Sequence, residues 1–287
     1  MRKIILYIII LITISSCKDK AAIKEQNKPI DTISYRYSGF NHHRKLDLLS
    51  NKNFILLESS ASCFGDYKIY RHFGTYNQND SIIKLEPKQV EIETYNSIVE
   101  RDTTYEIPYS DSLKVKTVYQ KFHWNDKIYL LSEQIDSIVY PESKNDFEQF
   151  ASSYNSGEEP EFSGNYLIRN VENSSDSINQ IIPIENLPKK YQDLFLKNPV
   201  SAKIIDREKL VFNDEDVDVD LIKWRIKLDK GSMDGLRKGM QLITSNNEFF
   251  IFIDSIAENY SYGECYVYNI ESKYSKIGTE MKTRWDD

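Results

Sequence analysis

The cysteine at position 17 lies in a setting that favours chemistry at its sulfur. Cys17 directly follows two small residues, Ser15 and Ser16, and an apolar run occupies residues 4–14. Small side chains let a peptidase close on the backbone, and a cysteine thiolate is a nucleophile that can accept an acyl group. The small residues and the thiol together make Cys17 the first candidate site of covalent chemistry in the chain.

The residues before Cys17 have the pattern of an export signal. Arg2 and Lys3 precede the apolar run, which is too short to cross a bilayer because a spanning helix needs about 20 apolar residues. The sequence Ile14-Ser15-Ser16-Cys17 resembles the lipobox of bacterial lipoproteins. That resemblance implies a signal peptide over residues 1–16, palmitate-type acyl chains on Cys17, and attachment to a membrane through this lipid.

The segment that follows Cys17 bears on where the protein is delivered. Residues 17–33 are polar and charged without an apolar period, so we predict a lipidated flexible tether. In the sorting rule for lipoproteins, Asp directly after the cysteine retains the protein at the inner membrane. Lys18 occupies that position, which favours the outer membrane. The charged cluster Lys18-Asp19-Lys20 also resembles the surface-export signal of Bacteroidetes-type lipoproteins, so the folded part can face the periplasm or the cell surface.

Catalytic candidates elsewhere in the chain are weak. Cys63 and His72 could form a nucleophile–base pair, but a small core residue is the favoured interpretation of Cys63. No serine lies in a Gly-x-Ser-x-Gly elbow. Glu158 and Glu159, beside Pro160, are a carboxylate pair on a turn, and carboxylate pairs in glycosidases are set by geometry rather than spacing. We therefore predict that the protein is not an enzyme.

Metal and cofactor signatures are equally weak. The adjacent His42 and His43 point apart in a strand and make a poor chelate. The acidic run at residues 214–220 fails as an EF-hand loop because Val219 and Arg225 take the positions of the required Gly and Glu. The sequence predicts neither a metal site nor a cofactor.

Composition excludes one class of partner and indicates the main secondary structure. The 287-residue chain has a formal net charge of −7 and no basic stripe, which argues against nucleic-acid binding. Its 20 tyrosines, 13 phenylalanines and only 10 glycines suit strands better than helices. Cys63 and Cys265 could pair in an oxidising compartment, although two unlinked buried thiols are favoured.

Hydrophobic patterning predicts a mainly β fold. Segments such as Val90–Tyr95 alternate apolar and polar residues, as antiparallel strands with one wet face do. We predict an antiparallel β-sandwich or small barrel over residues 34–132. A linking region follows over residues 133–198, with one short helix near residues 146–154 and another from Pro188. Residues 199–287 are predicted to form a small C-terminal β-barrel.

Three glycines carry the prediction of the C-terminal barrel. Gly231, Gly235 and Gly239 are spaced for chain reversals and match neither phosphate-binding fingerprint, so we interpret them as structural turn residues. The segment Leu228–Leu242 around them resembles an element in the small β-barrels of MreC-type scaffold proteins. That resemblance implies barrels that support protein–protein assembly rather than catalysis.

Together these observations predict a membrane-anchored lipoprotein of the cell envelope with a non-catalytic binding or assembly role. An envelope protein is the expected partner, in addition to the membrane that holds the Cys17 lipid. Two alternatives stay open. One is a hydrolase of envelope or surface glycans that uses paired carboxylates, and the other is a lipocalin-like carrier whose strands line a cavity.

Overall fold

Two antiparallel β-sheets make up most of the protein. The structure is a computed structural model that describes residues 31–113, 115–135, 144–171, 181–210, 221–246, 249–268 and 275–285. In these residues the chain forms fifteen strands, three α-helical segments and three short 3₁₀ turns. No helix in this described part is long and apolar enough to cross a membrane.

The first sheet closes on itself. Its order is β4-β3-β2-β1-β9-β8-β7-β5-β6, and β4 also pairs with β5. This extra pairing joins β4, at one edge of the sheet, to β5, near the other edge, so eight strands form a ring. The ninth strand, β6, pairs with residues 89–96 of β5 and lies outside the ring order. The strands are β1 Thr32–Ser38, β2 His42–Leu49, β3 Asn53–Ala61, β4 Tyr67–Gln78, β5 Ile82–Asn96, β6 Arg101–Pro108, β7 Val118–Trp124, β8 Lys127–Leu131 and β9 Leu167–Asn170.

Alternation along each strand places the core inside this ring. On β2, Leu46 and Leu48 are fully buried, whereas the residues between them are partly exposed. Each such leucine contributes roughly 1.5–3 kcal/mol relative to an exposed position. The interior is filled by apolar side chains from all eight strands of the ring, among them Tyr35, Leu46, Leu56, Tyr76, Ile83, Tyr119, Leu130 and Leu167.

A second core lies on the outer face of β7 and β8. Helix α1, Asp146–Ser156, begins with a capping box between Asn145 and Glu148 and ends at Gly157 in the left-handed conformation. Its Phe147, Phe150 and Tyr154 pack with outward-facing residues of β7 and β8 and with Tyr191 of the short helix α3, Lys189–Gln192. Another short helix, α2, Pro160–Ser163, follows α1 in the chain. Strand β8 is buried from Ile128 to Leu131 because both of its faces are covered there.

The second sheet is a closed six-stranded barrel. Its order is β10-β11-β14-β13-β12-β15. The interior holds one continuous cluster of side chains that includes Ile204, Ile226, Leu242, Ile251 and Met281. The strands are β10 Ser201–Leu210, β11 Leu221–Leu228, β12 Gln241–Ile243, β13 Phe250–Ile256, β14 Ser261–Tyr268 and β15 Glu280–Lys282.

The prediction of a mainly β protein with short helices and a small C-terminal barrel is confirmed. The β4–β5 pairing makes the N-terminal part a ring of strands. Residues 133–198, predicted as a linking region, supply strand β9, which pairs with both β1 and β8 and completes that ring. They also supply helix α1, so this region is an integral part of the first barrel.

The three predicted turn glycines lie between β11 and β12. Gly235 and Gly239 have φ angles of +90° and +85°, a region that residues with a Cβ rarely adopt. Gly231 is extended, and a Cβ there would come within 2.4 Å of the Ala257 carbonyl oxygen. Close backbone approach, rather than a positive φ, therefore explains the glycine at position 231.

Candidate functional site

Charged side chains lie inside one end of the first barrel. Arg44 on β2 and Glu58 on β3 are directly paired in register, and His72 on β4 is opposite Leu56 on β3. All three share the inward parity of Leu46 and Leu56. We call these three residues, together with Lys116 and Asp146, the polar layer.

Glu58 holds the first half of the polar layer together. The Arg44 Nε atom lies 3.0 Å from Glu58 Oε1, and the His72 Nε2 atom lies 3.3 Å from Glu58 Oε2. His72 is only 1% exposed. Neither ring nitrogen has a partner with hydrogen-bond geometry among the described residues, but Nε2 contacts the Glu58 carboxylate whereas Nδ1 has no such contact. A buried nitrogen without a partner is costly, which makes it a position where a bound molecule would be favoured.

Lys116 and Asp146 form the second half. The Lys116 Nζ atom lies 2.5 Å from Asp146 Oδ1, and the Ser132 backbone N–H donates to Asp146 Oδ2 at 2.8 Å. Both side chains are nearly inaccessible to solvent. Burial raises the pKa of Asp146 despite the nearby Lys116, and burial lowers the pKa of Lys116 despite Asp146. The pair fastens the start of helix α1 to the segment before β7.

A cavity of about 300 Å³ adjoins the polar layer. The Tyr70 ring stacks on the His72 ring with 6.1 Å between centroids, and the Tyr109 ring meets His72 edge-on at 6.4 Å. This volume is at the lower end of the roughly 300–1,000 Å³ found for small-molecule sites. Its lining combines serine hydroxyls, imidazoles, an ion pair and apolar groups: His42, His43, Arg44, Glu58, Ser59, Ser60, Tyr70, His72, Ser112 and Leu113.

The charge on Glu58 is maintained by its neighbours. Burial alone would raise the pKa of Glu58, but the hydrogen bond from His72 and the charge of Arg44 outweigh burial and lower it below the ordinary value of 4.5. A buried ion pair is often no more stabilising than apolar residues of the same volume. Because ionised groups with perturbed pKa values beside a cavity are typical of functional sites, we select this end of the barrel as the candidate site.

The lowered pKa gives a pH prediction for Glu58. A carboxyl whose folded pKa lies below its unfolded pKa stabilises the protein above the unfolded value, and this stabilisation is lost as pH falls through the folded pKa. The free energy of unfolding of the native protein should therefore exceed that of Glu58→Gln at neutral pH, and the gap should narrow between about pH 6 and pH 3. Urea unfolding at several pH values across this range measures the difference in the free energy of unfolding between the two proteins. The contribution of Asp146, whose pKa is raised, cancels in this difference because both proteins contain Asp146. A gap that is constant with pH would contradict the ionised assignment.

The structure separates several residues that the sequence suggested together. Cys63 is exposed in the loop after β3, so its prediction as a small core residue was wrong, and His72 is buried in the barrel.

His42 and His43 line the cavity. Cys17, Ser15, Ser16 and the acidic run at 214–220 lie outside the described residues. Among the residues that are described, no group of three or more His, Cys, Asp or Glu could hold a metal ion.

Sequence reasoning missed Arg44, Glu58 and Lys116 because it assigned charged residues to the wet face of each strand. A usable signal was present, since Arg44 has the same parity on β2 as Leu46 and Leu48. Glu158 and Glu159 are exposed and line a different cleft, near the end of helix α1.

The two remaining cysteines differ in reactivity. Cys63 is exposed, whereas Cys265 is buried in the second barrel, and neither forms a disulfide. Burial raises the pKa of the Cys265 thiol to about 12. Since the thiolate is the reactive form, maleimide should label Cys63 in the native protein and Cys265 only after unfolding. Peptide mass spectrometry after labelling checks this, and equal native labelling of both cysteines would contradict the placement of Cys265.

Comparison of the chain with protein-family models, with curated proteins and with solved structures gives no match.

Proposed function

We propose that the protein is a lipid-anchored binding protein of the cell envelope, without catalytic activity, whose first barrel takes a small ligand at the polar layer. Its anchor is the lipid on Cys17, its location is the outer membrane, and the folded part faces the periplasm or the cell surface. An envelope protein partner belongs to the same proposal.

The anchor rests on the sequence pattern before Cys17. Three features support the interpretation as a lipoprotein signal peptide: a short basic end, an apolar run over residues 4–14, and the small residues Ser15 and Ser16 before Cys17. The first strand begins at Thr32, so fifteen positions separate it from Cys17 (32 − 17 = 15). A flexible tether of that length has a root-mean-square reach of roughly 20 Å, which would keep the barrels close to the membrane.

The unpartnered Nδ1 of His72 carries the binding proposal. Glu58 is an ionised carboxylate and can only accept, so the His72 nitrogen that faces it must carry the hydrogen. In the neutral ring this leaves Nδ1 as a bare acceptor. The complementary ligand group is a hydroxyl or an amine that donates a hydrogen bond. The serine hydroxyls of Ser59 and Ser60 and the ring of Tyr70 supply further polar and apolar contacts.

A pair of probes tests this chemistry. Phenol and anisole have nearly the same shape, but only phenol has a hydrogen to donate. In ¹⁵N NMR of the full chain in detergent, phenol should shift the Nδ1 resonance of His72 saturably, and anisole should shift it much less. His72→Phe keeps a ring beside Tyr70 and should lose phenol binding. His123→Phe is the matched control because His123 is exposed on β7.

Two results would overturn the proposed ligand chemistry. One is equal binding of phenol and anisole, which would mean that no donated hydrogen bond is involved. The other is an NMR spectrum in which both ring nitrogens of His72 carry a hydrogen in the free protein, because Nδ1 would then be a donor. The second readout uses the native protein, so the test does not depend on the folding of His72→Phe.

A further inference from the structure

A second cleft lies on the opposite side of β8, outside the first barrel. It has a volume of about 460 Å³ and lies between the β7–β8 turn, the end of helix α1 and the last described residues of the chain. Two of the three tryptophans of the chain, Trp124 and Trp285, line it. Both are partly exposed, so part of each indole ring is accessible from the cleft.

The aromatic floor of this cleft is rigid. The Trp124 ring packs edge-to-face on the rings of Phe150 and Tyr154, with centroids 5.9 Å apart in each case. The Trp285 indole N–H donates to the Ile243 carbonyl at 2.9 Å, which fixes the ring on the second barrel. Side chains held in this way lose little conformational entropy when a ligand binds.

Arg284 and Gly157 join the two walls. The Arg284 guanidinium lies 4.5 Å from the Tyr154 ring centroid. A Cβ at position 157 would come within 2.9 Å of the Arg284 Cβ, and the φ of Gly157 is +75°. The end of helix α1 therefore lies against the C-terminal segment without space for a larger residue, and the cleft is formed before any ligand arrives.

Charges within the cleft select the class of ligand. Within the cleft, the Lys127 Nζ atom pairs with Glu161 Oε2 at 2.6 Å. Beside the cleft, the ammonium of Lys282, which does not line it, lies 4.2 Å from the Trp285 ring centroid. Cations of the protein therefore already occupy aromatic faces at Tyr154 and Trp285. Asp126, Glu158 and Glu159 are exposed along the lining and would repel an anion.

From this arrangement we propose that the cleft binds a neutral glycan chain. A sugar ring presents a face of C–H groups that packs on an indole, and hydroxyls around its edge that donate to carboxylates. Trp124 and the face of Trp285 away from Lys282 provide the aromatic surfaces, and Asp126, Glu158 and Glu159 provide acceptors around them. This site is separate from the cavity at the polar layer, with which it has no lining residue in common.

Three tetrasaccharides of different charge test the proposal on the full chain in detergent. Chitotetraose is neutral, its deacetylated form is cationic, and tetragalacturonate is anionic. We expect chitotetraose to change the tryptophan fluorescence saturably and to bind most tightly of the three. Trp124→Phe and Trp285→Phe should each weaken binding about tenfold. Trp224→Phe is the matched control, because the third tryptophan lies in the second barrel beneath the Arg207 guanidinium and should leave the affinity unchanged.

Each other outcome overturns the glycan assignment. Preference for the cationic or the anionic tetramer would give the cleft a different ligand class, and the absence of binding to all three would remove it as a glycan site. Equal weakening by Trp224→Phe would place the binding elsewhere. If a tryptophan variant fails to fold, Glu158→Gln provides the second test, because this exposed carboxylate should weaken chitotetraose binding without affecting the core. His72→Phe should leave chitotetraose binding unchanged, so this test is independent of the proposed function.

Discussion

Replacement of Cys17 by alanine should abolish acylation of the protein and remove it from the outer membrane. The thiol is the acceptor in the lipobox reading, so without it neither lipid attachment nor cleavage before residue 17 can take place. Each buried methylene of an acyl chain contributes about 0.8 kcal/mol to membrane attachment, and several chains on one residue make the attachment nearly permanent. Metabolic labelling with a palmitate analogue and membrane fractionation measure the effect.

The control for this prediction is Cys63→Ala. Cys63 is exposed, as a lipidated residue must be, but it lies in the loop between β3 and β4, and no export signal directly precedes it. This variant should retain full labelling. Label that persists in Cys17→Ala, or that disappears in Cys63→Ala, would contradict the assignment of the anchor. Unchanged mobility of Cys17→Ala relative to the native protein would also contradict it, because the variant keeps residues 1–16.

The same variant tests the expected envelope partner. Crosslinking in intact cells should capture one specific envelope protein with the native chain and clearly less of it with Cys17→Ala, because the proposed lipid anchor would raise the local concentration of the chain near its partner. Capture of the same protein in equal amount from both would mean that the lipid plays no part in the interaction.

Replacement of Lys116, the buried partner of Asp146, should cause a large loss of stability. Lys116→Met keeps much of the apolar stem but leaves the Asp146 carboxylate buried and without its cation. Loss of one partner of a buried pair costs about 3–5 kcal/mol. Since most domains are stable by only about 5–15 kcal/mol, this is a large part of the total. Urea unfolding of the native protein and the variant measures the difference in the free energy of unfolding.

Two comparisons establish that the cost arises from the unpaired charge. The double variant Lys116→Met/Asp146→Leu removes both charges and should recover most of the lost stability. Lys190→Met breaks a pair with Glu133 whose side chains are 58% and 50% exposed, so it should cost at most about 1 kcal/mol. Similar losses from Lys116→Met and Lys190→Met would contradict the role given to the buried pair.

Local patterns in the sequence predicted the mainly β class but not how the strands close into rings. The alternation over Val90–Tyr95 lies within β5, and the apolar spacing near residue 146 marks helix α1. Strand β9 has only four residues and lies beyond helix α1, so no local period identifies it as the strand between β1 and β8. Closure of the first sheet depends on pairing between distant segments, which a local period does not contain.

The sequence predicted the candidate site less well than it predicted the fold. Charged residues in alternating strands normally face water, and Arg44 and Glu58 are exceptions that face inward. Their partner His72 lies on a third strand, Lys116 precedes strand β7, and Asp146 is the first residue of helix α1. The contacts within this cluster depend on which strands become neighbours when the barrel closes. The pattern of one strand could therefore indicate that a charged residue faces inward, but not which residues it contacts.

Native mass spectrometry of the lipidated chain, purified gently from its own membranes, tests most directly whether the polar layer holds a ligand. The proposal predicts a small additional mass in the native protein and in His123→Phe that is absent from His72→Phe, and the released molecule should contain a hydroxyl or an amine. Native protein that carries the Cys17 lipid but no additional mass, or an additional mass that His72→Phe retains, would contradict it.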